Sequence, residues 1–221
     1  VLYSFIPVSL DEAVRIDEKN YRCYKTPRGD KLPSITTILG KTKSDFSKGN
    51  IESWMKREGD AAYHIMELAK IYGSKTHEAI EETLHNRNPD LNMEMVSFHY
   101  VQLEKYIKKI DNIRGIELVL YSEKLGIAGT ADCIAEYDNK LSIIDYKTKR
   151  KPQREEWLED PFIQATFYGI AFEELTGIHV EQIVILVSDE KGGSMEFIKN
   201  PDNYRDKLQT RIRLYKEITQ F

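Results

Sequence analysis

Cysteine is scarce in this chain: Cys23 and Cys133 are the two among 221 residues, and they form no CxxC pair. That count gives no support to a disulfide framework, a cysteine zinc site or an iron–sulfur cluster, and it points to a reducing compartment. Long apolar runs are missing too, and no stretch reaches the length of a membrane span. The apolar opening VLYSFIPVSL lacks a basic start and runs straight into Asp11 and Glu12, which argues against a signal peptide. Excess positive charge is a third absence. The formal net charge is -4, whereas a dedicated duplex-DNA binder is usually basic overall. Internal repeats and low-complexity tracts are also absent.

What is present describes an ordinary water-soluble domain, with 41% hydrophobic and 31% charged residues. The length supports one substantial core with a helical appendage, so residues 1–221 are expected to form a single domain. Residues 1–32 read as irregular or weakly stranded. Ser34 or Thr36 is placed to cap a short helix through Ile35, Ile38 and Leu39. Asn50 to Tyr72 has helical periodicity, with Gly73 expected to break it or join it to SKTHEAIEETLHNR, where His77 and Glu81 share a face. A further helix is expected near Met93–Ile110, which makes 33–110 a helical cover over a core formed by 116–221.

Strands are expected at 116–123, 127–137 and 140–147, then a helix from Asp160-Pro161 to Gly177. An apolar strand at 181–188, a short edge strand near Met195–Ile198 and a last helix at 201–219 complete the order. The result is an α/β fold, a mixed central sheet flanked by helices.

The chemistry gathers in GTADCIAEYDNKLSIIDYKTKRK, residues 129–151. Asp138-Asn139 suits a hairpin turn, because both residues tolerate left-handed backbone. Asp145 and Lys147, two apart, point to one face of a strand, and pairing brings Asp132 beside Asp145. Two carboxylates brought together need a counter-charge, which a divalent metal and an adjacent ammonium would supply. An Asp inside an apolar run, as at Asp132, is costly to bury without such a partner. Glu123 ends the preceding strand and could reach the same edge. Gln164 and Tyr168 share a face of the following helix. The basic run 147–154 offers phosphate contacts, and Trp54 or Tyr63 could stack on bases.

These motifs resemble the PD-(D/E)XK nuclease superfamily, RecB-type branch, and within it the mitochondrial genome maintenance exonuclease family with its phage and bacterial relatives. The likeness rests on LPSITTIL, HEAIE, the DCIAEY…KLSIIDYKT block and DPFIQATFYGIA, from about residue 33 to about 187. It implies a restriction-endonuclease-like core and a metal-dependent deoxyribonuclease. Asp132, Asp145 and Lys147 would be catalytic. Metal ligands would be His77, Asp132, Asp145 and the main-chain carbonyl of Tyr146, with Glu123 a weaker candidate. The cofactor would be one or two Mg²⁺ or Mn²⁺ ions. Gln164, Tyr168, Thr148, Lys149, Ser34, Thr36 and Lys43 would touch DNA.

The implied substrate is single-stranded DNA cut from free ends, by a monomer acting in replication, repair or recombination. Two departures stand out. Ala131 occupies the position where the motif name has proline, and no mitochondrial targeting extension is visible. The second shifts the expected setting toward the cytoplasm of a bacterium or phage-infected host, with the mitochondrial matrix open if a presequence was removed. The alternatives are a structure-specific endonuclease of this fold and a non-catalytic single-strand-binding module.

Overall fold

The structure, a computed structural model, describes residues 2–18 and 21–219. Its centre is a five-stranded sheet in the order β4 (Ile110–Ser122), β5 (Ile127–Tyr137), β6 (Lys140–Lys149), β7 (Gln182–Asp189), β8 (Ser194–Lys199). Only the β6–β7 pair is parallel; the other three pairs are antiparallel. Asp138 and Asn139, at φ 50 and 62, close the β5–β6 hairpin as their tolerance of left-handed backbone predicts.

The parallel pair requires a crossover, made by α5 (Glu159–Thr176). Helix α5 starts one residue before the expected Asp160 and is preceded by a 3-10 turn, Glu155–Leu158, so Leu158 and not Asp160 occupies the cap. Its end is as expected, with Gly177 left-handed at φ 72.

Alternation along the strands builds two cores, one on each face of the sheet. Ile134, Ile143, Ile183 and Ile185 pack on one side with α1 (Ile35–Lys41), α5 and α6 (Arg205–Thr219). Cys133, Ile144, Val184 and Leu186 face the other side, against α3 (Ala61–Leu84) and α4 (Glu94–Ile107). Every residue of β7 is buried, as its unbroken apolar run demands. Both cysteines are buried thiols.

Two expectations change, one on the helical side and one at the amino-terminal end. Of its two expected roles Gly73 takes the joining one, since α3 runs through it, whereas the helix expected from Asn50 to Tyr72 is broken at Gly59, left-handed at φ 58, after α2 (Asp45–Glu58). Gly73 is small for a packing reason, since a Cβ there would sit 3.3 Å from Thr148 Oγ1 on β6. The stretch before residue 34, read as irregular or weakly stranded, holds a three-stranded antiparallel sheet of β1 (Val14–Glu18), β2 (Tyr21–Lys25) and β3 (Lys31–Pro33); positions 1, 19 and 20 lie outside the described residues. This small sheet docks on β5 through a bond between the Tyr24 hydroxyl and Thr130 Oγ1, 2.9 Å. A backbone bridge between Ser34 and Ala128 extends the contact.

Candidate active site

From the hairpin, β5 and β6 pair without interruption as far as Cys133 and Ile144, and there the ladder stops. The next residues are Asp132 and Asp145. Asp132 uses its carboxylate where the neighbouring backbone would have paired, accepting the Tyr146 N–H at 3.2 Å. Asp145 is 3% exposed. Its Oδ1 accepts a 2.7 Å bond from Lys147 Nζ, while Oδ2 is buried with no partner. Burial pushes the Asp145 carboxyl above its usual range, Lys147 pulls it down and Asp132 raises it again. For Lys147 burial acts to lower the pKa, but the Asp145 and Asp132 charges overcome it and leave the ammonium stabilised.

His77 reaches this edge from α3, across the sheet's other face. Its Nε2 lies 2.8 Å from the Tyr146 carbonyl oxygen, and its Nδ1 lies 3.4 Å from Asp132 Oδ2. A carbonyl only accepts, so Nε2 is the nitrogen assigned the proton in the neutral ring, and Nδ1 is left as a lone pair. The Tyr146 carbonyl is thus already engaged by His77. The edge of the Tyr146 ring and the His77 ring meet at 88°, centroids 5.6 Å apart, which fixes the imidazole plane.

The third group at this edge is one that sequence reasoning missed. His77, Asp132 and Glu117 bring their ligand atoms within 4.8 Å of one another. Glu117 sits in β4 with a left-handed φ of 49, next to a register shift between Asp111 and Gly115. A glutamate gains nothing from that conformation, and such strain recurs at functional sites. Partial desolvation and the nearby Asp132 charge push its carboxyl up to about 7, although the residue keeps an exposed side. A signal was available: Ile116-Glu117-Leu118-Val119-Leu120 places a carboxylate inside an apolar run, the same feature that drew attention to Asp132.

This donor set fits a divalent cation. An imidazole lone pair and a carboxylate oxygen face each other at 3.4 Å, a second carboxylate stands within reach, and Asp145 Oδ2 is buried without a partner. Carboxylate oxygens with one imidazole suit Mg²⁺ or Mn²⁺ better than a soft metal.

The other residues expected at the site are more scattered. Glu123 is apart from the cluster: it pairs with Arg28 at 2.8 Å, and six strand residues beyond Glu117 amount to roughly 20 Å. Gln164 Nε2 donates to the Tyr168 hydroxyl at 2.9 Å, and Tyr168 presses against Gly129, where a Cβ would lie 2.8 Å from the ring. Lys149 is half-buried, and burial with the Lys147 and Lys43 charges lowers its pKa. Thr148 lies against Gly73 of α3. Ser34 is 1% exposed and caps α1, accepting from the Thr37 N–H at 3.0 Å while its hydroxyl meets those of Thr36 and Thr37. Thr36 itself is exposed.

Comparison with known proteins shows what the chain as a whole is similar to. Human (Homo sapiens) mitochondrial genome maintenance exonuclease 1 is 31% identical over 153 residues, 62% of this chain and 40% of that protein. The Mus musculus protein of the same name is 29% identical over 134 residues, 55% of this chain and 38% of its own. The chain therefore spans about two fifths of the length of the curated relatives it matches. A crystal structure of a candidate exonuclease from Eubacterium rectale superposes with a TM-score of 0.48 at 15% identity, covering 66% of this chain and 64% of that one. Residues 46–219 match the PD-(D/E)XK nuclease superfamily. With most of the length inside that match, the chain belongs to the PD-(D/E)XK nuclease superfamily.

Proposed function

We propose that the protein is a metal-dependent exonuclease that hydrolyses phosphodiester bonds of single-stranded DNA from free ends, as a monomer, in replication, repair or recombination. The observation that carries the reading is the pairing of a buried, half-satisfied Asp145 with Lys147 at the point where β5 and β6 part, facing Asp132 and His77. The names of the human and mouse relatives support an exonuclease acting on a genome. Those names fit a mitochondrial setting, with a bacterial or phage-infected cytoplasm as the alternative.

Asp132, Asp145, His77 Nδ1 and Glu117 would hold one or two Mg²⁺ or Mn²⁺ ions, and the Tyr146 carbonyl keeps a second lone pair for the same purpose. A bound ion would supply a water of lowered pKa and would neutralise charge on the scissile phosphate. Both carboxylates stabilise the Lys147 ammonium. The role of Lys147 would be to orient the water or take its proton, and to offset negative charge developing on the phosphate. Lys149 and Lys43 would supply further positive charge beside it, Thr148, Thr36 and Gln164 would line the approach, and the buried Tyr168 would act by holding Gln164 through its hydroxyl. The Ser34 hydroxyl acts through the α1 cap that carries Thr36.

A strand threaded beneath a helical cover formed by residues 33–110 would have to enter by an end. End-labelled linear and circular single strands, incubated with Mg²⁺, Mn²⁺ or chelator, test the whole reading. Linear strands are expected to shorten from an end with either ion, while circles and chelated samples stay intact. Degradation of circles as fast as linear strands would overturn the exonuclease assignment.

A further inference from the structure

The loop leaving β6 carries a feature that the site does not use. Trp157 is 60% exposed, although tryptophan has more apolar area to hide than any other side chain. It does not hang loose. The 3-10 turn Glu155–Leu158 is anchored by Leu158, which is fully buried, and closed by the Trp157 N–H bonding to the Arg154 carbonyl at 3.0 Å. Residues three apart eclipse in such a turn. The Arg154 guanidinium accordingly sits over the indole, its carbon 5.5 Å from the ring centroid. A guanidinium covers one ring face and leaves the other to solvent.

The surrounding charge is compatible with a nucleic-acid strand. Glu155 is neutralised by Lys199 at 2.7 Å, Glu159 by Lys207, and Arg150 lies 3.8 Å from Glu190. Lys151 and Arg154 have no carboxylate partner among the described residues, against Glu156 alone on the acidic side. The loop that leaves β6 just past Lys147 carries the turn to the edge strand β8, two strands from β6, where Glu155 meets Lys199. Gln164 is five residues into α5, hence roughly 8 Å along its axis from Glu159.

We propose that Trp157, backed by Arg154, is a stacking platform for one unpaired nucleobase of a bound single strand. The inference rests on the nuclease reading and adds to it a sequence-tolerant contact to a base. Stacking one base on an aromatic side chain changes affinity by roughly five- to a hundredfold on truncation to alanine. With the whole protein in chelator, so that nothing is cut, Trp157→Ala should bind a short oligothymidylate weaker by that factor. Trp157→Phe, which keeps a ring, should retain most of the affinity.

Quenching of tryptophan fluorescence by the strand should be smaller in Trp157→Phe, where Trp54 alone reports. A sugar–phosphate strand without bases should bind wild type and Trp157→Ala alike. If Trp157→Ala, folded by circular dichroism, binds the oligothymidylate as tightly as wild type in a protein that still cuts DNA with metal, the platform is wrong and the nuclease reading survives. A wild type that neither binds nor cuts the strand removes both.

Discussion

The two ends of the β5–β6 pair use the same two strands for opposite purposes. At the hairpin end, from Tyr137–Lys140 to Cys133–Ile144, each residue has its ladder partner and Ile143 and Ile144 are wholly buried. At the other end the ladder stops, Asp132 takes a backbone N–H on its side chain, and Asp145 Oδ2 is buried with nothing to bind. One end satisfies its polar groups internally. The other leaves them unsatisfied for something from outside. The site is therefore a place where the fold stops stabilising itself.

That contrast can be broken from either end. Asp145→Asn should show the largest effect, lowering cleavage by about a hundredfold or more, in the range found when a key electrostatic group is removed. The melting temperature of the metal-free protein should fall only modestly, because Lys147 loses one compensating charge but keeps that of Asp132, while a buried carboxylate oxygen without a partner is gone. A large fall in melting temperature would mean that Asp145 supports the fold. Ile144→Ala, one residue away, should do the reverse. It should cost about 2–5 kcal/mol in denaturant unfolding, with the rate per folded molecule largely kept.

Glu117→Gln sharpens the comparison at smaller scale. The folded carboxyl titrates at about 7 against an ordinary 4.5. The native state thus holds the extra proton between those values, and metal-free stability falls as pH rises through about 4.5 to 7. Binding an ion needs the ionised form, so Mn²⁺ affinity should rise through the same interval. Isothermal titration at several pH values should show both slopes flattened in Glu117→Gln. An unchanged Mn²⁺ profile would remove Glu117 from the ligand set.

Much of this was legible because local chemistry left little choice. Asp138-Asn139 tolerates left-handed backbone, β7 is apolar without a break, and the Asp132, Asp145 and Lys147 spacing settles which side chains share an edge. What was hidden depends on contacts distant in sequence. Nothing local distinguishes Gly59, left-handed at a helix break, from Gly73, helical and kept small by Thr148. Glu117 lies in β4 and Glu123 just past its end, six residues apart, and plain alternation continued through the turn would put both on one face. The irregular register before Ile116 and the positive φ at Glu117 are what a period-two pattern cannot show. The short strands before residue 34 are polar and weakly patterned, and pairing among themselves and docking on β5 define them.

Gly129 has a consequence for motion. Tyr168 and Ile35 both lie so close to it that even a methyl group would collide, at 2.8 and 3.1 Å. Close-packed surfaces of this kind shift between discrete arrangements and do not stretch. Three residues before Asp132, the floor of the cleft therefore has no slack. Room to move lies elsewhere, in α2 and the first half of α3, whose described residues are mostly exposed. The molecule divides its labour mechanically, with a stiff bed that keeps the ligands in register and a helical wall left with room to yield.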